Sequence, residues 1–572
     1  MHIMRREAIN AAPLGGKHTD IIDKVLRNRG IQSQSELSVQ GKHLLHYNKL
    51  KDIEKAANLL ADAVVNHQQV FIVGDFDADG ATSTALCILA FRKMGLLNVQ
   101  YIVPNRFDYG YGLSPPVVDL AYQAGAKVLV TVDNGISSIE GVKHAKSLGM
   151  TVVVTDHHLP SDVLPIADAI VNPNQTLCEF ESKNLAGVGV AFYVMSATKN
   201  VLVERGYFTQ QQIPVPNMAN FLDIVAVGTV ADVVVLDKNN RILVHQGIQR
   251  IRSGKTRPGI LALLNISGRD YSKCCTTDIG FVIGPRLNAA GRLEDMSHGI
   301  ECLLCECINE AATLALALDA LNQSRREIEQ SMKDKAELAL ATLSLDAKNM
   351  PAALVLYNED YHQGVVGIVA GRMKERYYRP TIVFANDNEH TLKGSARSIQ
   401  GVHIRDVLAR VDSLQPALIH KFGGHAMAAG LSIAKVDLPL FQTVLIQVVS
   451  NLTQNLPKEA IIYSDGELSE QQLTLENAHE LKYSMPWGQG FEEPQFDGVF
   501  TLVNQRIVGK NHLKMTLAQN QVYIDAIAFN VDIQAWPNHK VNEVKMAYKL
   551  DINEFRGQTT LQLMVSDLVA VE

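Results

Sequence analysis

"VGDFDADGATSTAL", Val73 to Leu86, places aspartates at 75, 77 and 79 directly after a short apolar run, with a glycine behind the last of them. The run itself, "VFIVG", is β-branched and aromatic and reads as a strand, whereas "ATSTALCILAFRKMG" behind the aspartates reads as a helix. From Gln69 to Asn174 the same phrase recurs: "VQYIVP", "KVLVTV", "TVVVT" and "DAIVNPN" are strand-like, and "SPPVVDLAYQAG" and "SIEGVKHAKSLG" lie between them. Continuous apolar strands alternating with helices predict an α/β fold whose parallel sheet is covered on both faces. Ligands of such sheets gather at the carboxyl ends of the strands. The residues expected there are Asp75 and Asp77, Asn105 and Arg106, Asp133 and Asn134, then Asp156, His157 and His158. The polar chemistry therefore falls on one edge.

Outside this region the chain changes character three times. "FLDIVAVGTVADVVVLDKNNR" carries Asp232 among valines and returns to the same core, and an Ala-, Leu-, Glu- and Lys-rich region from Glu301 to Leu345 reads as a long helical connector. "PAALVLYNE", "RPTIVFAN" and "LKGSARS" open a second, smaller α/β unit that runs to Asn451. The last hundred or so residues alternate apolar and polar positions around Gly, Asn and Lys turns, which predicts a small antiparallel β-barrel.

With 572 residues, 47% of them hydrophobic, the chain accommodates roughly three to five domains and is not a disordered protein. There is no apolar run of the length that spans a membrane and no leader-like N-terminus, so a soluble cytoplasmic protein with no membrane partner is expected. Seven scattered cysteines read as reduced thiols; "CLLCEC" (Cys302, Cys305, Cys307) lacks the second pair that structural zinc requires. The net charge of −7 argues against a surface coated in phosphate-binding groups but says little about a groove. The basic stretches Arg241 to Arg257 and Arg372 to Arg379 fit solvated helix faces at least as well as nucleic-acid contacts.

Carboxylates gathered where strands end must bind cations or shift their pKa values, because an unpaired buried charge costs several kcal/mol. The set is Asp75, Asp77, Asp79, Asp133, Asp156, His157, His158 and Asp232. Oxygen donors with one or two imidazoles suit Mn²⁺ or Mg²⁺, and two such ions bridged by a carboxylate can activate water and stabilise a phosphoryl transition state.

"GDFDADG", "VTVDNGISS", "VVTDHHLP" and "VGTVADVVVL" resemble, in order and spacing, the motifs of the DHH phosphoesterase superfamily. "VPNRFDYGYGLSP", "LAGVGVAF", "GPRLNAAGRL", "HQGVVGIVAGR", "KGSARS" and "FGGHAMAAGLS" extend the resemblance, over almost the whole length, to the RecJ family of bacterial single-strand-specific exonucleases. The resemblance implies an N-terminal segment (1–48), a parallel-sheet DHH catalytic domain (49–300), the helical connector (301–346), a DHHA1 domain (347–455) and an OB-like single-strand-binding barrel (456–572). Carried over position by position, it makes Asp75, Asp77, Asp133, His157 and Asp232 the ligands of two Mn²⁺ or Mg²⁺ ions, with Asp133 between them and catalytic, and it turns His158 toward the scissile phosphate. Asp79 and Asp156 are left to orient ligands or close the turn. Some relatives have a histidine four residues before the first aspartate; Phe71 stands there here, which implies a more open coordination of one ion.

Gly423, Gly424 and His425 of "GGHAMAAG" match the glycine-rich DHHA1 signature, where a backbone can approach a phosphate closely. Ser395, Arg397, Arg286, Asn288 and Arg106 are further phosphate or DNA contacts, each arginine having a salt bridge as its alternative. On the barrel, Lys510, His512, Lys514, Tyr548, Lys549 and Arg556 are candidate strand contacts, although strand aromatics more often belong to a core. "PWGQGFEEPQF" departs at Glu492 and Glu493 from a linker motif of the family and is assigned no role. The family further implies a cleft between catalytic and DHHA1 domains that seats a 5′ end, 5′–3′ degradation of single-stranded DNA to mononucleotides in recombination and repair, a monomer, and two partners: single-strand DNA-binding protein and a RecQ-type helicase. Two rivals remain open. One is a DHH enzyme acting on oligoribonucleotides or cyclic dinucleotides, against which the length and the terminal barrel count; the other is an inactive DNA-binding scaffold, against which the complete acidic set counts.

Overall fold

The computed structural model describes residues 2–8, 12–15, 19–104, 112–342, 350–454, 456–457, 459–520 and 522–571. The chain forms two compact units, one built from Ile3–Asp319 with Ile462–Glu572, the other from Ala320–Ile461 with the first two residues.

In the larger unit the five expected strands, β1 (Val70–Val73), β2 (Val99–Ile102), β3 (Val128–Val132), β4 (Thr151–Thr155) and β5 (Ala169–Val171), form one parallel sheet in the order β2-β1-β3-β4-β5. Strand β1 is buried along its whole length, as a central parallel strand must be. One face packs through Phe71, Val73, Leu129, Val152 and Val154 onto Val117 and its neighbours. Against the other face lie α1 (Ala78–Lys93) and α2 (Gly187–Glu204), and α3 (Leu222–Ala231) packs on both of these helices. Helix α1 is buried from Ala78 to Phe91, its polar Asp79, Thr82, Ser83 and Thr84 included, so it is enclosed by protein on all sides. It starts at Asp77, whose carboxylate accepts from the Asp79 and Gly80 N–H groups, and it ends on Arg92 and Lys93, which complement its dipole. Helix α4 (Gly284–Leu293) follows a single π-helical turn at Ile279–Ile283.

Helix α5 (Ile308–Thr342) is the expected connector. The boundary between the two units falls inside it, at Asp319/Ala320, and not at its ends. In the smaller unit β6 (Leu354–Tyr357), β7 (Thr381–Asn386), β8 (Thr391–Arg397), β9 (Lys421–Gly424) and β10 (Ala428–Ala434) lie in the order β9-β10-β8-β7-β6, antiparallel except for β6 with β7. Helix α6 (Val366–Tyr377) connects β6 to β7, and Phe384 packs edge-on against Phe441 in the core.

The C-terminal strands β11 (Phe496–Val508), β12 (His512–Gln519), β13 (Val522–Ala528), β14 (Glu543–Phe555) and β15 (Gln558–Val571) close into a barrel, order β11-β12-β13-β15-β14, with β13 and β15 parallel. This is an OB-type barrel. Within the same compact unit, Arg29 near the N-terminus pairs with Asp465 through bonds of 2.6 and 2.9 Å, both side chains being almost fully buried. Removing one partner strands the other's charge. Asp465→Ala is therefore expected to cost about 3–5 kcal/mol, seen as a lower midpoint for the fluorescence of Trp487 and Trp536 on thermal unfolding; an unchanged midpoint would contradict it.

A candidate metal centre at the sheet edge

The strand ends deliver their polar residues to one place. Asp75 follows β1, Asp133 follows β3 and Asp156–His158 follow β4. Asp133 takes a left-handed conformation, φ +60°, which an aspartate tolerates better than most residues. Asn134 straps the edge by donating to the carbonyls of Val73 (3.0 Å) and Val132 (2.8 Å). Asp232 ends α3, at the negative pole of the helix dipole, where a carboxylate is disfavoured unless a cation compensates.

Three groups of ligand atoms each lie within 4.8 Å of one another: Asp75 with Asp77 and Asp133; Asp133 with His157 and His158; and Asp79 with His157 and Asp232. His157 Nε2 stands 3.1 Å from Asp133 Oδ1 and 3.5 Å from Asp232 Oδ2. Burial, reinforced by mutual repulsion with Asp79, Asp77 and Asp75, holds Asp133 and Asp232 well above the ordinary carboxylate range. A divalent cation among these oxygens would reverse both effects, and hard oxygen donors with imidazole suit Mn²⁺ or Mg²⁺. Phe71 lies buried in the apolar core and supplies no ligand atom.

The two adjacent histidines have opposite environments. Burial, then the charge of His158, pushes His157 down to about 4, so at neutral pH its imidazole has a lone pair to give a metal. Burial would lower His158 as well, but the hydrogen bond to Asp156 (Nδ1 to Oδ1, 2.7 Å) and the negative charges of Asp156, Asp75 and Asp232 raise it to about 9. Burial would raise Asp156, yet the His158 bond, both imidazoles and the Ile136 N–H hold it below its ordinary value. Asp156 also accepts the backbone N–H groups of His157 and His158. Its role is to orient both histidines.

Of the two roles expected of Asp79, orienting ligands or closing the turn, the second falls to Asp77, which caps α1. Asp79 accepts from Gly187 N (2.6 Å) and Val188 N (2.9 Å), binding the start of α2 to the start of α1. Burial and Asp77 raise it to about 7 against the pull of those two donors. The approach is close enough that a Cβ on Gly187 would come within 2.6 Å of Asp133 Cβ. Sequence reading also missed Asn172 and Asn174, which donate to the His158 and His157 carbonyls at 2.8 and 2.6 Å. The "NPN" spacing beside the last strand was their only local signal.

The phosphate candidates separate. Arg106 lies outside the described residues. The Arg286 expectation is corrected to its salt-bridge alternative: its fork is spent on Asp319 (2.9 and 2.7 Å) and on the Val282 carbonyl. Asn288 accepts from Ala78 N at 2.8 Å and so braces the aspartate loop. In the smaller unit Ser395 and Arg397 end β8 against the first turn of α6, where a Cβ on Gly367 would meet Arg397 Nη2 at 3.0 Å and Ser395 Oγ at 3.5 Å. Burial lowers the Arg397 pKa, and among the described residues no carboxylate pairs with it. Gly423, Gly424 and His425 form the adjacent hairpin; His425 N donates to Ala428 O, and Gly424 has φ +141°. On the barrel Tyr548 is a fully buried core residue, so it is no surface contact, and Lys514 and Lys549 pair with Asp525 and Glu493. His512 packs on Phe529 and Arg556 over Phe555. Arg241, Arg252, Arg257, Arg372 and Arg376 of the basic stretches are engaged in internal bonds. No metal-ligand group among the described residues includes Cys302, Cys305 or Cys307.

A parallel sheet with this acidic edge, a small glycine-signature unit and an OB barrel define a DHH-type phosphoesterase, and three family models match accordingly: the DHH family, N-terminal domain, over 69–229, the DHHA1 domain over 350–451 and the RecJ OB domain over 464–567. The chain is 51% identical over 570 residues to the single-stranded-DNA-specific exonuclease RecJ of Escherichia coli, covering 99% of each. It is similar in structure to RecJ of Thermus thermophilus in complex with Mn²⁺ (TM-score 0.78, 26% identity, 96% of this chain and 76% of that one) and in complex with Mg²⁺ (0.71, 25%, 96% and 75%). The chain belongs to the RecJ family.

Because Asp133 is destabilised by burial and repulsion, Asp133→Asn is expected to leave the unfolding midpoint in EDTA unchanged or higher. Saturating Mn²⁺ is expected to stabilise the native protein by about 2–3 kcal/mol and the variant by less than half of that. Differential scanning calorimetry with EDTA or Mn²⁺ reads both, and equal Mn²⁺ stabilisation of the two proteins would contradict the assignment.

Proposed function

We propose that the protein is a metal-dependent exonuclease that degrades single-stranded DNA from the 5′ end to mononucleotides, serving recombination and repair. The observation that carries this reading is three overlapping groups of ligand atoms, Asp75 with Asp77 and Asp133, Asp133 with His157 and His158, and His157 with Asp79 and Asp232, in a chain of the RecJ family. Two bound Mn²⁺ or Mg²⁺ ions would activate water and neutralise the charge that grows on the phosphate oxygens.

The chain's own residues hold and orient. Asp75, Asp77, Asp133, His157 and Asp232 supply the ligand atoms, and Asp79 and Asp156 fix the backbone that carries them. His158, kept protonated by Asp156, would donate from Nε2 to a phosphate oxygen as negative charge accumulates. In the smaller unit, the half-buried Arg397 guanidinium, Ser395, the first turn of α6 and the Gly423–His425 hairpin form a cradle suited to a terminal 5′-phosphate. A strand held by its 5′ end is cut from that end. The barrel would engage single-stranded DNA through exposed groups such as Lys510 and Arg556. Action as a monomer in the cytoplasm, with single-strand DNA-binding protein and a RecQ-type helicase delivering substrate, accompanies this reading; no helix among the described residues is long and apolar enough to cross a membrane.

Digestion of 5′- and 3′-labelled single- and double-stranded DNA is expected to release label from the 5′ end of single strands only, to require Mn²⁺ or Mg²⁺, and to fall about a thousandfold in Asp133→Ala, the equivalent of several kcal/mol of lost transition-state stabilisation. Release from the 3′ end, or cleavage in EDTA, would overturn the reading. Arg397→Ala is expected to raise KM about tenfold or more for 5′-phosphorylated strands and less for 5′-hydroxyl strands; an equal effect on both would remove Arg397 from the terminal pocket.

A further inference from the structure

The loop "WGQGFEE", Trp487–Glu493, lies against the segment that leaves Asp232. Asp232 ends α3, and Val233 directly after it has φ +61°, a left-handed conformation that a β-branched residue adopts only when its surroundings impose it. The loop packs on the residues that follow this turn, Val235 and Leu236. The Leu236 N–H donates to the Gln489 carbonyl at 2.8 Å. A Cβ on Gly488 would come within 2.6 Å of Leu236 Cδ1, and one on Gly490 within 2.7 Å of Val235 Cγ1. Gly490 itself sits at φ +70°, so glycine is required there both by conformation and by the closeness of Val235.

The loop is itself firmly held. Gly488 and Phe491 exchange N–H···O bonds of 2.9 and 3.0 Å, and the Trp487 and Phe491 rings stack with centroids 5.1 Å apart. Trp487 Nε1 donates to the Leu481 carbonyl at 2.6 Å. Arg241 lies over Phe491, 4.4 Å from its centroid, and donates to the Leu236 carbonyl at 2.9 Å. At the far end of the loop Glu493 accepts from Thr277 Oγ1 (2.7 Å) and from Lys549 Nζ (2.5 Å), and Lys549 belongs to strand β14 of the barrel. Burial would raise Glu493, but Lys549 and Thr277 hold it ionised.

We propose that loop 487–493 is a positioning element for Asp232: it fixes the strained turn that aims the Asp232 carboxylate and ties that turn to the barrel. The inference rests on the reading of Asp232 as a metal ligand. Support of a ligand from behind is worth metal affinity, because a carboxylate free to swing loses part of its binding energy to ordering.

Free Mn²⁺ gives an electron paramagnetic resonance signal that bound Mn²⁺ loses, so titration of the full-length, EDTA-treated and dialysed protein reads affinity without reference to activity. Asp232→Asn is expected to weaken Mn²⁺ binding, and Gly490→Ala to weaken the same phase by about tenfold with an unchanged circular dichroism spectrum. If Gly490→Ala does not fold, Phe491→Leu, which deletes the ring under Arg241 and beside Trp487, has the same expected direction. A Mn²⁺ isotherm identical to the native one in a folded loop variant would overturn the positioning role alone. Failure of the native protein to bind Mn²⁺, or an unaltered isotherm in Asp232→Asn, would instead overturn the ligand reading on which it stands.

Discussion

The structure is organised around an electrostatic conflict. Asp75, Asp77, Asp79, Asp133 and Asp232 converge in a region where water is largely excluded, and the energy of gathering like charges there rises as the dielectric falls. Neutral carboxylic acids would relieve the conflict at the cost of any anionic chemistry. Divalent cations relieve it and make the gathering favourable. Much of the surrounding architecture is explicable as support for that outcome: the left-handed Asp133, the Asn134 strap across two strand ends, and the Asp79 bonds to the first turn of α2 all hold charge where it would otherwise disperse.

The paired histidines show how a two-residue stretch can supply two different functional groups. His157 faces Asp133 and Asp232 from a buried position and is kept neutral; His158 shares a short hydrogen bond with Asp156 and is kept charged. Asp156 thereby sorts the roles of two identical side chains. It does so without being placed in any of the ligand groups.

The fold was legible in the sequence to the extent that it depends on local pattern. The β-branched runs and the helices between them appear where periodicity places them, and the strand-end rule located Asp75, Asp77, Asp133, Asp156 and the two histidines, though not Asp232, which ends a helix. What spacing could not reveal was which donors those carboxylates meet. Asp77 reads as one more acidic ligand, yet it also caps α1; Asp79 reads as a turn residue, yet its partners lie more than a hundred residues along the chain, at the start of α2. Arg286 sits in a motif that looks made for phosphate, but Asp319 takes its fork. The glycines at 488 and 490 signal a turn without saying that Val235 and Leu236 occupy the space their side chains would need. In each case the missing information is the identity of a distant partner, which a propensity does not contain.

The central claim is that the acidic edge is a two-cation site. Calorimetric titration of Mn²⁺ into EDTA-treated, dialysed protein tests it most directly, in two buffers of different ionisation enthalpy. About two ions should bind per chain, with protons released to the buffer as Asp133 and Asp232 give up the protons that their burial favours. Binding of one ion or fewer per chain, or binding without proton release, would contradict the account.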